Sequence, residues 1–245
     1  MDPARRAEFA VRLRECGEQE IIELLEPELE HLDGETVCLA LRNPHASGRV
    51  IDLILGERRL LLSSEVRKAL VQHPKTQEAR ALNLVPALYW SDLVELGGDT
   101  RIRPRIRLAA DRRLIERLPR FEVGERVAIA RKAGPGVIVR LLRDSDLRVV
   151  EALLENPRMT EAILAPCLHG DTVRPETLGR IASDRKWGSR YAIRDAIARN
   201  PRTPSATVLE LLVYLRKSDL RDVRADRGIA PEVRRRAGLL LGEAI

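Results

Sequence analysis

The sequence predicts an all-α protein that stacks short antiparallel helix pairs, and three observations favour this class. One pattern recurs, with Val or Ile followed by Ala three residues later and by Pro eight residues later, as at Val66, Ala69 and Pro74. Alternation of apolar and polar residues, the sign of half-buried strands, is nearly missing. The turn signals between the apolar segments are short, as expected of compact helical pairs. The 245-residue chain has 3% aromatic residues, so its core is expected to be aliphatic.

The recurring pattern indicates where helices begin and end. Positions i and i+3 share one helical face, and a small Ala there lets a neighbouring helix approach closely. The residue before a proline disfavours the helical conformation, so we expect helices to stop there. Asn or Gly precedes several of these prolines, and we expect it to close the helix in the left-handed conformation. Thr160 and Thr203 are predicted to cap the helices that follow. Further copies of the pattern begin at Val127, Val149 and Ile193.

Two segments are predicted, continuous with each other in one stack. Residues 1–62 form an acidic N-terminal helical cap with a first, degenerate repeat, because nine acidic and no basic residues lie between Arg14 and Arg42. Residues 63–245 contain the remaining helical repeats. In a repeat stack each unit contacts only its neighbours, so the acidic cap is expected to lie apart from the basic part of the chain.

Residues 149–157 and 193–203 resemble HEAT-like repeats, and more closely the short leucine-rich-repeat-variant units of bacterial proteins. The resemblance runs from residue 63 to the C-terminus, with 34–56 a weaker match. It implies a right-handed α-solenoid whose curved face is a binding surface. Some leucine-rich-repeat-variant proteins carry an N-terminal iron–sulfur cluster, but Cys16 and Cys38 cannot supply four clustered thiolates. No cofactor is therefore expected.

The uneven charge of the chain points to a binding partner. Residues 1–100 carry 12 basic and 18 acidic side chains, whereas residues 101–245 carry 31 and 19. The segment 101–143 alone has 13 basic and 4 acidic side chains. Guanidinium groups suit phosphates and carboxylates, so this segment is a candidate nucleic-acid surface; an ordinary solvated helix face is the alternative. The candidate binding residues are Arg101, Arg103, Arg105, Arg107, Arg112, Arg113, Arg117 and Arg120.

A helix that starts near Pro104 would orient this basic segment. Such a helix places Arg105, Arg112 and Arg113 in one broad sector. The apolar residues expected to face the stack instead are Ile106, Leu108, Ala109 and Leu114.

A second candidate surface lies at residues 184–194. Trp187 and Tyr191 are four residues apart, which places them on one helical face, with Arg190 and Arg194 in an adjacent stripe. If exposed, these rings beside cations would bind single-stranded nucleic acid or a peptide. If buried, they fill the gap between helix pairs and the arginine stems cover them. The scarcity of aromatic residues favours burial.

Metal and nucleophilic sites are not indicated by the sequence. Cys16, Cys38 and Cys167 are an odd number at wide spacing, so no disulfide framework is expected. The histidines lack a second ligand at helical spacing, and we expect no metal. No apolar run is long enough to span a membrane, and no N-terminal signal segment is evident. These features predict a cytoplasmic protein without membrane contact.

Three functions remain open from the sequence. A noncatalytic scaffold or adaptor that binds a protein partner is favoured, because solenoids present extended surfaces and no catalytic set is visible. A nucleic-acid-binding protein that uses residues 101–143 is the alternative. The third is an enzyme resembling the HEAT-like alkylpurine DNA glycosylases, for which only Asp184, Trp187 and Arg190 could serve. Exposed ion pairs contribute roughly 0–1 kcal/mol each, so we expect a monomer at physiological salt.

Overall fold

A computed structural model describes residue 9 and residues 11–242 of the chain. Within that part the protein is all-helical, as predicted, and contains no strand. After a helical stretch at residues 11–15, the α-helices are α1 (Glu18–Leu25), α2 (Gly34–Arg42), α3 (Gly48–Gly56), α4 (Ser64–Gln72), α5 (Glu78–Leu84), α6 (Trp90–Gly98), α7 (Pro104–Arg117), α8 (Val123–Lys132), α9 (Pro135–Leu141), α10 (Leu147–Leu154), α11 (Glu161–Cys167), α12 (Pro175–Ala182), α13 (Tyr191–Arg199), α14 (Ser205–Leu212), α15 (Lys217–Ala225) and α16 (Pro231–Leu240). Short 3-10 helices lie at Glu26–Glu28, Leu60–Leu62, Val85–Ala87 and Leu118–Arg120.

Contacts between Cα atoms divide the chain into two compact units, Met1–Glu116 and Arg117–Ile245. In the first unit α1 packs against α3, and α2 packs against α4. In the second unit α8 packs against α10, α9 against α11, α11 against α13 and α14 against α16. In these pairs a helix packs against the next helix but one along the chain, while the consecutive helices α15 and α16 also pack closely. The described residues of the predicted acidic cap (residues 1–62) lie inside the first unit.

The recurring apolar pattern marks the buried side of these helices, as predicted. Its buried members are Val66, Ala130, Val149, Ala152, Ile193 and Ala196, while Ala69 and Val127 are half-buried. Full burial of a Val, Leu or Ile side chain stabilises the fold by about 1.5–3 kcal/mol relative to exposure. Each unit consequently has an aliphatic core, which in the first unit includes Leu13, Ile21, Val37, Ile51 and Leu70.

Helix α10 shows how one of these helices is set up locally. Asp146 precedes it in an extended conformation, and its carboxylate accepts a hydrogen bond from the backbone N–H of Arg148. Hydrogen bonds from the side chain and backbone of Arg148 lower the pKa of Asp146 to about 2. The carboxylate of this N-cap therefore stays ionised at neutral pH. A negative charge at a helix N-terminus stabilises the helix.

The predicted threonine caps have different outcomes. The hydroxyl of Thr160 accepts a hydrogen bond from the backbone N–H of Ile163, 3.3 Å away, and caps α11 as predicted. The prediction for Thr203 was wrong. Its hydroxyl instead donates to the carbonyl of Ile197 at 2.6 Å, because α14 begins only at Ser205, one residue too late for Thr203 to act as its cap.

Helices do stop before the Asn–Pro pairs, but the expected left-handed closure was wrong. Asn43 and Asn200 have φ values of −67° and −76° with ψ values of 129° and 122°, which is extended backbone. No non-glycine residue in the described part of the chain has a positive φ. Any residue before proline prefers this extended region. Backbone conformation therefore does not explain why asparagine in particular occupies these positions.

The side-chain amide explains the asparagines. The Nδ2 group of Asn156, which is fully buried, donates to the carbonyls of Ala130 and Ala133 at 2.7 and 3.1 Å, and its Oδ1 accepts from the backbone N–H of Arg158 at 2.7 Å. In the same way Asn43 donates to the carbonyls of Leu13 and Cys16, and Asn200 to those of Leu168 and Gly170. The acceptors lie at the C-terminal end of the helical segment two places earlier, or within three residues after it, where carbonyls lack partners within the helix.

Basic side chains in the turns between helices donate hydrogen bonds to further backbone carbonyls. Arg158 Nη1, for example, donates to the carbonyl of Lys132 at 2.8 Å. Equivalent bonds run from Lys75 to Ala46, from Arg103 to Thr76, from Arg174 to Ser145 and from Arg202 to Asp171. These bonds join residues between 26 and 31 positions apart. Within each unit, these bonds therefore tie together segments that are distant along the chain.

Gly188 fills a position that no larger residue fits. A Cβ atom added there would overlap the backbone carbonyl oxygen of Ala182, so Gly188→Ala should destabilise the protein by about 1–3 kcal/mol. A matched change in the same unit is Gly124→Ala, because Gly124 lies in the first turn of α8 with open space around it. That variant should be neutral or stabilised by up to about 1 kcal/mol. Urea unfolding of both variants measures the difference, and equal midpoints would show that Gly188 does not pack against the carbonyl of Ala182.

Candidate functional site

The basic segment 101–143 is divided between the two units, with residues 101–116 in the first. There, α7 buries Ile106, Ala110 and Leu114 along one face. The prediction that Leu108 faces the core was wrong, since its side chain is 67% exposed. Leu108 lies three residues after Arg105 and four before Arg112, and this spacing places all three on the same outer face.

Several predicted arginines of the first unit are engaged inside the unit. These contacts are Arg101 with Asp99 at 2.8 Å, Arg103 with the carbonyl of Thr76 at 2.8 Å, Arg105 with Glu78 at 3.0 Å and Arg113 with Glu116 at 3.1 Å. Arg107 is half-buried, whereas Arg112 is exposed and has no side-chain partner among the described residues. The charge available to a ligand is therefore smaller than the composition implies.

The part of the basic segment in the second unit is less engaged. Arg117 is half-buried and Arg120 is exposed. Arg126 forms an ion pair with Asp144 at 2.9 Å, with both side chains largely buried. Four further basic side chains are exposed and have no partner in the described part of the chain: Arg131, Lys132, Arg140 and Arg143.

Trp187 is buried, as the scarcity of aromatic residues favoured, and is 1% exposed. Its indole N–H donates to the carbonyl of Leu154 at the end of α10, 3.0 Å away. The prediction that Trp187 and Tyr191 share a helical face was wrong, because α13 starts only at Tyr191. Trp187 lies instead in a turn whose backbone N–H groups, its own and that of Lys186, donate to the carboxylate of Asp184.

The arginines around Trp187 also bind within the unit. Arg190 forms an ion pair with Glu161 at 2.9 Å, and its guanidinium carbon lies 5.1 Å from the centre of the Trp187 ring. The Tyr191 hydroxyl donates to the carboxylate of Asp219. The guanidinium of Arg216 lies over the Tyr191 ring, 4.5 Å from its centre. The Trp187 ring is thus unavailable for stacking, and part of the Tyr191 ring is covered.

Tyr214 is an exposed aromatic residue that the sequence interpretation did not single out. Its side chain is 57% exposed, and the guanidinium carbon of Arg194 lies 4.3 Å from the centre of its ring. Arg194 is held there by a hydrogen bond of 2.6 Å from its Nε to the carbonyl of Gly188. The two residues line a groove of about 610 Å³, the Arg–Tyr groove, whose other polar and apolar residues include Asp184, Arg185, Ser189, Glu210 and Val213.

A larger groove, of about 860 Å³, lies in the first unit. We call it the α2–α4 groove, because residues of α2 and α4 form most of its wall. The charged side chains that line it are Arg14, Glu35, Arg42, Glu65, Lys68 and Glu95, and apolar contributions come from Leu39, Leu41 and Ala69. The sequence marks this groove by a regular spacing, because Glu35, Glu65 and Glu95 follow one another at intervals of 30 residues.

Some of the charges of the α2–α4 groove are paired and others are not. Lys68 Nζ lies 3.2 Å from Asp92 and 2.5 Å from Glu95. Burial lowers the pKa of Lys68, but hydrogen bonds to these carboxylates outweigh it, so the pKa is raised and the ammonium stays charged. The side chains of Arg14, Glu35, Arg42 and Glu65 have no partner among the described residues.

Cys38 lies between these uncompensated charges. Burial raises the pKa of its thiol, the negative charge of Glu65 raises it further, and the positive charge of Arg42 lowers it. All three cysteines are free thiols. The residues that the structure describes contain no group of three or more His, Cys, Asp or Glu side chains placed to hold a metal ion.

The chain matches no known protein family, no curated protein and no solved structure. Among residues 11–242, no helix combines the length and apolar character needed to cross a membrane.

The thiol of Cys38 reports the electrostatics of the α2–α4 groove. In a Cys16→Ala, Cys167→Ser background, Glu65→Gln should lower the pKa of Cys38, because it removes a negative charge beside the thiolate. Arg42→Gln should raise that pKa, because it removes a positive charge. The pH dependence of alkylation by iodoacetamide gives the midpoint for each variant. Midpoints that coincide with that of the parent would show that neither charge acts on Cys38.

Proposed function

We propose that this protein is a noncatalytic interaction scaffold, built as an α-solenoid of HEAT-like repeats, that binds a polypeptide partner. Support for the repeat architecture comes from contacts between several helices and the next helix but one along the chain. Further support comes from the bonds between corners 26 to 31 residues apart. Repeats of this kind present extended grooved surfaces on which partners bind.

The observation that carries the proposal is the α2–α4 groove. Its lining comes mainly from α2, from α4 and from Glu95 of α6, every second helix along the chain. An extended polypeptide lying in it would therefore pass equivalent positions of the proposed repeats. Arg14 and Arg42 offer unpaired guanidinium groups to carboxylates of the partner, and Glu35 and Glu65 offer carboxylates to its basic side chains. The apolar wall, with Leu39 as an example, would bury apolar side chains between these charges.

The proposed scaffold works as a monomer at physiological salt and in the cytoplasm. The monomer follows from the weakness of exposed ion pairs, which contribute about 0–1 kcal/mol each and are screened by salt. The location rests on the cysteine pattern, because free thiols are the usual state in a reducing compartment.

Site-specific photocross-linking tests the scaffold. A benzoylphenylalanine in place of Gln72, in the α2–α4 groove, should form a discrete adduct with a protein in extract of the source cell. The same probe in place of the exposed Asn83, on α5 outside the groove, should not. Adding Arg42→Glu to the Gln72 variant should abolish the adduct, because it reverses one of the two unpaired cations. Equal adducts at both positions, or an adduct that nuclease digests, would contradict the proposal.

A nucleic-acid-binding function is the second candidate. It is favoured by the exposed basic side chains of the second unit without partners among the described residues, namely Arg131, Lys132, Arg140 and Arg143. Such side chains bind phosphates and release counterions, so affinity falls steeply as salt rises.

Titration of labelled single-stranded and duplex DNA at low and at physiological salt tests this second candidate. If it holds, a variant with Arg131, Lys132, Arg140 and Arg143 changed to Gln should bind more weakly. The dependence of log Kd on log salt should also become shallower, by up to about 0.9 for each phosphate that the variant no longer neutralises. Absence of binding by the unmodified protein at low salt would exclude this function.

A further inference from the structure

The Arg–Tyr groove of the second unit contains an unusual exposed apolar pair. Val213 and Tyr214, directly after α14, are 55% and 57% exposed and both line the groove. The guanidinium of Arg194 covers one part of the Tyr214 ring, with its carbon 4.3 Å from the ring centre, and holds the ring in place. The remaining ring surface is open to a ligand. Tyrosine and arginine are enriched among the residues that contribute most to binding at protein interfaces.

The charges of the Arg–Tyr groove favour an anionic ligand. Asp184 already accepts two backbone hydrogen bonds and lies 3.6 Å from Arg180. Arg194 uses its Nε for the carbonyl of Gly188, which leaves its terminal amino groups for a ligand. Arg185 is exposed and has no side-chain partner within residues 11–242. With Glu210 as the opposing charge, the uncommitted side chains along the groove are net positive.

We propose that the Arg–Tyr groove binds an acidic polypeptide segment that carries an apolar or aromatic side chain. That side chain packs on Val213 and the open surface of Tyr214, and its neighbouring carboxylates accept hydrogen bonds from Arg185 and Arg194. Carboxylate–guanidinium bonds are among the stronger hydrogen bonds in proteins and fix the orientation of the ligand. The site is independent of the α2–α4 groove, since it lies in the other unit and uses none of the same residues.

A polypeptide fits the Arg–Tyr groove better than a single-stranded nucleic acid. Proteins that bind single strands without sequence preference stack successive bases on several aromatic rings. Here Trp187 is buried, and the Tyr191 ring is partly covered by Arg216 with its hydroxyl bonded to Asp219. Tyr214 is therefore the aromatic ring that this region exposes, which suits one apolar side chain.

Fluorescence anisotropy with a labelled peptide tests the proposal. The probe has glutamates flanking a central Leu–Phe pair, and the comparison peptides replace either the glutamates by lysines or the Leu–Phe pair by alanines. The full-length protein should bind the probe at least about tenfold more tightly than either comparison peptide, and Arg185→Glu and Tyr214→Ala should each weaken binding by about tenfold.

Matched variants separate the groove from general charge or folding effects. Arg235→Glu makes the same charge change at another exposed arginine of the second unit, and Tyr89→Ala removes an exposed tyrosine of the first unit. Both should bind the probe as the unmodified protein does, and circular dichroism should show all variants folded. Equal weakening by Arg185→Glu and Arg235→Glu would overturn the proposal, as would tighter binding of oligothymidylate than of the probe.

Discussion

Carbonyl groups at helix C-termini are the constraint on which this structure depends. Every α-helix leaves its last carbonyls without partners inside the helix, and a chain of many short helices has many such ends to bury. The buried amides of Asn43, Asn156 and Asn200 each bond to two carbonyls at or just after the end of the helical segment two places earlier. A carbonyl buried without a partner costs about 1–3 kcal/mol, so these bonds both stabilise each unit and fix the register of its helices.

The same constraint explains part of the arginine content. Arginines in the turns donate to backbone carbonyls 26 to 31 residues earlier in the chain, as Arg158 does to Lys132 and Arg202 to Asp171. Others pair with carboxylates one pair away, as Arg105 does with Glu78. A basic composition therefore does not translate directly into a basic binding surface. The two grooves, and the basic side chains that have no partner among residues 11–242, are candidate ligand sites.

The sequence predicted the helical class and the helix stops well, because both depend on local rules. Apolar spacing marked the buried side of the helices, and the residue before proline is restricted whatever surrounds it. The sequence-based prediction failed where the deciding interaction joins residues that are far apart along the chain. The Asn residues were assigned to backbone closure, whereas their amides bond to carbonyls 23 to 32 residues away. His73, in the same position before Pro74, keeps only the local part of that pattern, accepting at its Nδ1 from the backbone N–H of Lys75.

The candidate sites were harder to predict for the same reason. The sequence predicted that Trp187 lies on a helix with Tyr191, but Asp184 and Gly188 hold it in a turn. There its indole N–H donates a hydrogen bond to a carbonyl of α10. Tyr214 gave no signal because its partner Arg194 is 20 residues away. The acidic residues of the α2–α4 groove did carry a signal, their 30-residue spacing. That spacing becomes meaningful only once the length of a helix pair is known.

The stability of the Asn156→Asp variant tests most directly whether the buried asparagine amides hold the helices together. The substitution keeps the acceptor for the Arg158 N–H, but it removes both donors to the carbonyls of Ala130 and Ala133 and adds a buried charge. Asn83→Asp, on the exposed side of α5, makes the same chemical change where no such bonds exist. This role of the amide predicts that Asn156→Asp lowers the free energy of unfolding by at least about 2 kcal/mol, while Asn83→Asp changes it by less than about 0.5 kcal/mol. Coincident urea unfolding curves for Asn156→Asp and the unmodified protein would contradict it.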